Sequence, residues 1–225
     1  MTTLRTLPDD LRLDSGSHPP PNGAFEACVM EAVAYVAGEP WSDSPQCVCP
    51  VLASFGRSWN DWLPDDERQQ LLPYIPRLIG TRSTPDVENR RAWMAADWLV
   101  RECAPAWLRL AGLDEHAHNL EQLAALTDGR TAEQAQPALT AARDAATAAG
   151  SAARSAARSA AGSAARSAAW SAARSAAWSA ARSAAGSAAS EALDPTRRGL
   201  QRSALALLDR MIECQPADLA TTPAQ

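Results

Sequence analysis

A four-residue unit, Ser-Ala-Ala-X, repeats ten times without interruption from Ser151 to Ser190. Alanine has the highest intrinsic helix propensity and arginine is close to it, so a segment that is half alanine is predicted to be helical even with little tertiary support. Four residues advance an α-helix by about 400°, so each X position lies about 40° further round the axis than the previous one. The repeat therefore predicts a long helix whose X side chains form a spiral and not a stripe.

The spiral limits how this helix can be buried. A straight neighbouring helix cannot follow it from end to end, so we expect a neighbour that winds round it in a right-handed sense, burial among several helices, or a solvated single helix. Gly150 and Gly186 are candidate bends for a hairpin. The residues predicted to mediate interaction are Trp170, Arg174 and Trp178, which are spaced four apart and can stack as a cation–π ladder, together with Arg166 and Arg182.

The composition of the chain changes near residue 130. Every aromatic residue except Trp170 and Trp178 precedes that point, so the hydrophobic core is expected in the first half. Residues 1–139 contain 11 arginines and 20 acidic residues, a net charge of −9, whereas residues 140–190 contain 6 arginines and one aspartate, a net charge of +5. These opposite charges permit docking of one part on the other, within a chain or between chains.

Helical periodicity and turn residues predict an all-α fold: a compact helical head, a long Ser-Ala-Ala-X helix that could be a hairpin, and a closing C-terminal helix. No strand is predicted. The predicted regions are a flexible leader at 1–23, the head at 24–129, the alanine-rich tetrad-repeat segment at 130–193, a closing amphipathic helix at 194–214 and a disordered tail at 215–225.

Several helix ends in the head are predicted from local sequence. The first helix is expected from Phe25 to a C-cap at Gly38, and later ones start at Pro50, Pro64 and the pair Thr84-Pro85. Pro105 is expected to break the helix that begins at Thr84, because proline lacks the N–H of the helical ladder. A further helix is predicted from Asp114 to about Leu126, and the alanine-rich helix is predicted to begin near Thr131 or Pro137.

The sequence also bears on location. No apolar run approaches the roughly 20 residues that span a bilayer, and residues 1–10 lack the pattern of a secretory signal. Five cysteines are an odd number, which is not typical of a disulfide-bonded scaffold. A cytoplasmic protein without a membrane partner is predicted.

Three cysteines are weak candidates for chemistry. Cys28, Cys47 and Cys49, with Cys103 or His116 as a fourth ligand, could hold zinc, although the Cys47-x-Cys49 spacing differs from the usual zinc knuckle. Buried free cysteines that pack as small apolar residues are the alternative.

Two further arrangements could carry chemistry. Cys28 could act as a nucleophile with His116 or His118 as its base. The turn from Gly80 to Pro85 could hold an anion at the next helix N-terminus, with Arg82 nearby, or could simply cap that helix. No catalytic residue and no cofactor are predicted.

Three functions follow, in order of preference. The first is a non-enzymatic protein–protein interaction or self-assembly protein, with itself or another protein as partner and a homo-oligomer as the expected state. The second is nucleic-acid binding through arginine and tryptophan, which an acidic chain with a spiral of positive charge favours less. The third is a small metal-binding or cysteine-dependent enzyme.

Three segments of the head carry a resemblance, which extends over most of the chain once the alanine tetrad tail is included. CVMEAVAYVAGEPWSD begins at Cys28, RSWNDWLPDDERQQLLPYIPRLIGTRSTP at Arg57 and AWLRLAGLDEHA at Ala106. The chain resembles a group of uncharacterised actinobacterial and actinobacteriophage proteins with a helical N-terminal domain and an alanine-rich tail. The resemblance implies no activity and no site residues. The tail alone also resembles the alanine-rich tails of some bacterial immunity proteins.

Overall fold

The computed structural model describes residues 4–148 and 193–216, which divide into two compact units. The first unit extends to Glu88 and also contains the C-terminal residues from Cys214, and the second extends from Asn89 to Glu213. The described residues are mostly helical, as the sequence predicts. The Ser-Ala-Ala-X helix and its candidate bends at Gly150 and Gly186 lie outside the described residues. Within the described part, none of the helices combines the length and the apolar character that crossing a membrane requires.

The first unit contains two very short strands and several helices. In chain order these are β1 (Arg12–Leu13), β2 (Glu26–Ala27), α1 (Val29–Ala37), α2 (Pro50–Trp62), α3 (Asp65–Arg68), a 3₁₀ turn (Gln69–Tyr74), α4 (Ile75–Leu78) and the start of α5 (Pro85–Trp98).

The prediction that the chain has no strand is wrong, because β1 and β2 pair in parallel with Arg12 opposite Glu26 and Leu13 opposite Ala27. Two residues are too few to show an alternating pattern in the sequence. The outer edge of β1 is occupied by an amide side chain. Leu13 N–H donates to Gln69 Oε1 at 3.0 Å, and Gln69 Nε2 donates to the Leu13 carbonyl at 2.8 Å.

Helix α1 begins later than predicted. Phe25 precedes β2. Its ring packs edge-on against Tyr35 and Trp41, with centroid distances of 4.8 Å and 5.9 Å. Phe25 therefore fits the helical spacing of apolar residues although it is buried outside the helix. The predicted C-cap is confirmed, since Gly38 has φ 72° and its N–H bonds back to the last turn. The predicted starts at Pro50 and Pro85 are also confirmed, with Thr84 Oγ1 accepting from Val87 N–H at 3.5 Å.

The described residues of the second unit form the rest of α5 and four further helices. In chain order, α5 is followed by a π-helical turn (Leu99–Cys103), α6 (Ala104–Leu110), α7 (Asp114–Glu121), α8 (Gly129–Ala148) and α9 (Asp194–Glu213).

Pro105 does not break the helix, contrary to the sequence prediction. The chain passes from α5 through the π-helical turn directly into α6, with Pro105 in the first turn of α6. Ala104 N–H donates to the carbonyl of Leu99, five residues back. This widened turn shifts the hydrogen-bond ladder, so the missing proline N–H and the bulk of its ring are accommodated.

The ends of α7 and α8 also differ from the prediction. Helix α7 stops at Glu121, before Leu126, whose N–H donates to Asp97 Oδ1 at 2.9 Å. Helix α8 starts at Gly129 and contains Pro137 in its interior. Asp128 determines this earlier start, because its Oδ1 accepts from Thr131 N–H at 2.8 Å while Thr131 Oγ1 accepts from Asp128 N–H at 3.1 Å.

The amphipathic closing helix is confirmed as α9. It packs within the second unit, where Arg91 Nε donates to the Met211 carbonyl and Trp98 Nε1 donates to Ser203 Oγ, both at 2.7 Å. Its buried apolar face consists of Leu200, Ala204, Leu207, Leu208 and Met211.

Candidate functional site

The predicted interaction residues lie outside the described part of the chain. This applies to Trp170, Arg174, Trp178, Arg166 and Arg182. What the structure describes is the helix that leads towards the repeat and the chemistry of the two units.

Helix α8 places a row of four alanines and one leucine in the core of the second unit. Ala132, Ala135, Leu139, Ala142 and Ala146 are at most 1 % exposed. We call these five residues the alanine face. Their spacing alternates between three and four residues, which is the period of a helix seam that stays on one side. Alanine side chains of this chain thus support full burial of a helix face.

Cys28 serves as the N-cap of α1 and is not a ready nucleophile. Its Sγ accepts from Glu31 N–H at 3.4 Å, and the Glu31 carboxylate accepts from Cys28 N–H at 2.8 Å, which completes a capping box. Burial, helped by the nearby Glu31 charge, raises the pKa of the Cys28 thiol to about 12. At neutral pH this group is therefore a protonated thiol. The candidate bases His116 and His118 belong to the other unit, on α7.

None of the five cysteines forms a disulfide, and the surroundings of the remaining ones differ. Cys47 is half-buried, and burial together with the Glu39 carboxylate raises its pKa to about 11. Cys49 is buried and its N–H donates to Thr81 Oγ1 at 3.2 Å. Burial raises the pKa of Cys103 to about 12. Within residues 4–148 and 193–216, the structure brings no three cysteine, histidine or acidic side chains together in a way that could hold a metal ion.

A buried polar cluster joins the N-terminal segment to α1. Glu31 is 1 % exposed; its Oε1 accepts from His18 N–H at 2.6 Å, and His18 Nδ1 lies 3.0 Å from its Oε2. On the other side of the ring, His18 Nε2 lies 3.8 Å from Asp14 Oδ2.

Asp14 connects this cluster to α2 and α3. Its carbonyl accepts from Asn60 Nδ2 at 2.7 Å, and its Oδ1 lies 3.3 Å from Nη1 of the buried Arg68. Arg68 also donates to the carbonyls of Asn60 and Leu63, both at 2.7 Å. This network was not predicted from the sequence. Its spatially paired members are distant in the chain, and only the Cys28-x-x-Glu31 spacing could have indicated the cap.

A pocket of about 180 Å³ lies in the first unit beside the turn singled out in the sequence. Arg57 from α2 and Arg82 from the turn both line it, with Ser44 and Gln46 as the other polar residues. The predicted turn therefore contributes its arginine to a pocket and also caps α5. The part played by Arg57 was not predicted, because nothing in the local sequence brings it to Arg82.

Comparisons with protein-family models, with curated proteins and with solved structures find no match to this chain. The case for a function therefore depends on the chain's own chemistry.

Proposed function

We propose that this is a non-enzymatic cytoplasmic protein that associates with itself or with another protein through its alanine-rich repeat helix. In this proposal the repeat packs closely against a second helix, Trp170 and Trp178 anchor the contact, and Arg166, Arg174 and Arg182 surround the anchors. A homo-oligomer is the expected state, and no cofactor takes part.

The observation that carries the proposal is the alanine face of α8. These side chains are almost fully buried in helix packing, and α8 ends at Ala148, three residues before the repeat begins at Ser151. Small side chains allow two helix axes to approach closely. The repeat keeps two alanines in every four residues, so small side chains are available for close contact along its length, on a line that winds round the helix axis.

Charge supports association between copies. Residues 1–139 carry a net charge of −9 and residues 140–190 carry +5, so the acidic part of one chain attracts the basic repeat of another. Because alanine buries little apolar area, we expect the affinity to depend on many repeats and on the two tryptophans.

The state of Cys28 favours this function over a cysteine-dependent enzyme. Its thiol caps α1 and has a pKa of about 12, so at neutral pH the nucleophilic thiolate is almost absent. Nucleic-acid binding is tested separately, by titrating the chain with an oligonucleotide at several salt concentrations.

The test compares the wild-type chain with Trp170→Ala/Trp178→Ala by light scattering on a size-exclusion column across a range of concentrations. We expect the wild-type mass to rise with concentration and the double alanine variant to stay at lower mass, with unchanged far-UV circular dichroism. A loss of one or two anchor residues of this type weakens association by about 2 kcal/mol or more, roughly thirtyfold.

Trp170→Phe/Trp178→Phe is the matched control, because it keeps aromatic rings at both positions and should retain most of the association. A wild-type mass that stays constant at the monomer value, with no protein partner recovered, contradicts the proposal. Steeply salt-dependent binding of an oligonucleotide by a monomer would instead support the second function.

A further inference from the structure

The pocket beside Arg57 and Arg82 brings two positive side chains to the lining of a single cavity. Its lining contains both guanidinium groups and no carboxylate. Guanidinium groups present planar pairs of N–H donors that match the oxygens of phosphate and carboxylate groups. The positive charge of the two guanidinium groups therefore favours binding of an anion in this pocket.

Both arginines have donors to spare within the described part of the chain. The hydrogen bonds of Arg57 use Nη1 alone, which donates to the Asp43 carbonyl at 2.7 Å and to Ser44 Oγ at 3.2 Å. Arg82 meets Glu88 through Nε at 3.5 Å, and its side chain is 51 % exposed. An exposed ion pair of this length contributes little, so the Arg82 guanidinium can turn to a ligand at small cost.

The walls of the pocket are held in place by polar contacts to the loop before α2. Glu39 accepts from the N–H groups of Gln46 at 2.5 Å and Cys47 at 2.8 Å. Arg82 N–H donates to the Cys47 carbonyl at 3.1 Å. A loop fixed from two sides keeps its shape before a ligand arrives, which lowers the entropic cost of binding.

The rest of the lining is apolar. Val48 and Ala53 are 1 % and 5 % exposed, and Pro45 and Pro50 complete that side. Apolar walls keep water away from one side of the pocket, while the Arg82 side remains open to solvent.

We propose that this pocket binds a small oxyanion, a phosphate or carboxylate group held by the guanidinium groups of Arg57 and Arg82. The site lies wholly in the first unit and does not involve the repeat, so it stands independently of the proposed association.

The test titrates the full chain with inorganic phosphate and, separately, with butyrate at constant ionic strength, and follows the arginine Nε–H signals by NMR. We expect a saturable change with at least one probe. Saturation by phosphate alone indicates a phosphate-bearing ligand, and saturation by butyrate alone indicates a carboxylate-bearing ligand.

Arg82→Gln should weaken the affinity at least about tenfold, which corresponds to about 1.4 kcal/mol. Because this side chain is half-exposed, the variant should keep the wild-type circular dichroism, whereas Arg57→Gln also removes a contact to the loop. Arg12→Gln removes the same charge from an exposed position on β1 and should bind as the wild type does.

Two results would overturn the site. One is the absence of a saturable change with both probes. The other is equal weakening by Arg82→Gln and Arg12→Gln, which would mean that only the net charge of the protein matters.

Discussion

Cys28 shows how one side chain can look reactive in a sequence and be structural in the fold. Its sulfur accepts a hydrogen bond from the backbone at the start of α1, and 2 % of the residue is exposed. Serine, threonine, aspartate and asparagine usually occupy this position, so a cysteine there is easily mistaken for a nucleophile. Its raised pKa follows from the same burial.

This pKa predicts how stability depends on pH. The thiol titrates near 12 in the folded chain and near its ordinary value of 9.0 when unfolded, so the folded state holds the proton more tightly. The stabilisation that the protonated thiol gives to the folded state is complete below pH 9. It is lost as the pH rises from 9 to 12, and the free energy of unfolding falls by at most about 1.4 kcal/mol per pH unit.

Cys28→Ser isolates this effect, because a hydroxyl can cap α1 but does not ionise in this range. Between pH 9 and pH 11 we expect the free energy of unfolding of the wild type to fall more than that of the variant, as measured by urea denaturation at each pH. A difference that is independent of pH would show that the thiol does not titrate as stated.

At the scale of the element, α8 shows how alanine determines packing. Ala142 is fully buried and its neighbour Ala141 is exposed, so the same substitution at the two positions separates packing from helix propensity. Leucine and alanine have similar propensities, but a leucine at Ala142 needs space that a close-packed helix contact does not provide.

We therefore predict that Ala142→Leu lowers the free energy of unfolding by about 1–3 kcal/mol, while Ala141→Leu changes the free energy of unfolding by less than about 0.5 kcal/mol. Chemical denaturation followed by circular dichroism measures both. Equal effects of the two substitutions would contradict close packing at the alanine face.

Elements with local signals could be predicted from the sequence. Gly38 ends α1 and Thr84-Pro85 starts α5 because the capping chemistry lies within a few residues of the end. Pro105 was misjudged because a π-helical turn, which has no sequence signature, precedes it. The pairing of Leu13 with Gln69 was missed because it joins residues 56 positions apart.

In the candidate sites too, features with a local sequence signal could be predicted and features that join distant residues could not. Arg82 stands out in the sequence because it lies in a capped turn, but its neighbour Arg57 is 25 positions away and becomes visible only in the folded chain. The cysteines, judged by spacing alone, remained open between ligand, nucleophile and core residue. The burial of Cys28 and its hydrogen bond with Glu31 N–H show that it is the N-cap of α1.

At the scale of the molecule, the closing helix α9 adds an apolar face to the core of the second unit. On α9, Leu207 is fully buried, whereas Leu205 is partly exposed, two residues away on the same helix. The loss of stability on truncation depends on the cavity that is left, and only Leu207 would leave one.

Leu207→Ala should lower the free energy of unfolding by about 2–5 kcal/mol, and Leu205→Ala should lower it by clearly less. Thermal and urea denaturation of the full chain provide the measurement. If the two variants lost the same stability, α9 would not present the face described above.

The amide of Gln69 has a consequence for how copies of this chain can meet. By engaging both the N–H and the carbonyl of Leu13, it imitates the peptide group of a neighbouring strand. The outward hydrogen-bonding groups of Leu13 are thereby occupied, so a foreign strand finds no template at that point. At that edge of β1, growth into a ladder of strands is therefore blocked by one side chain.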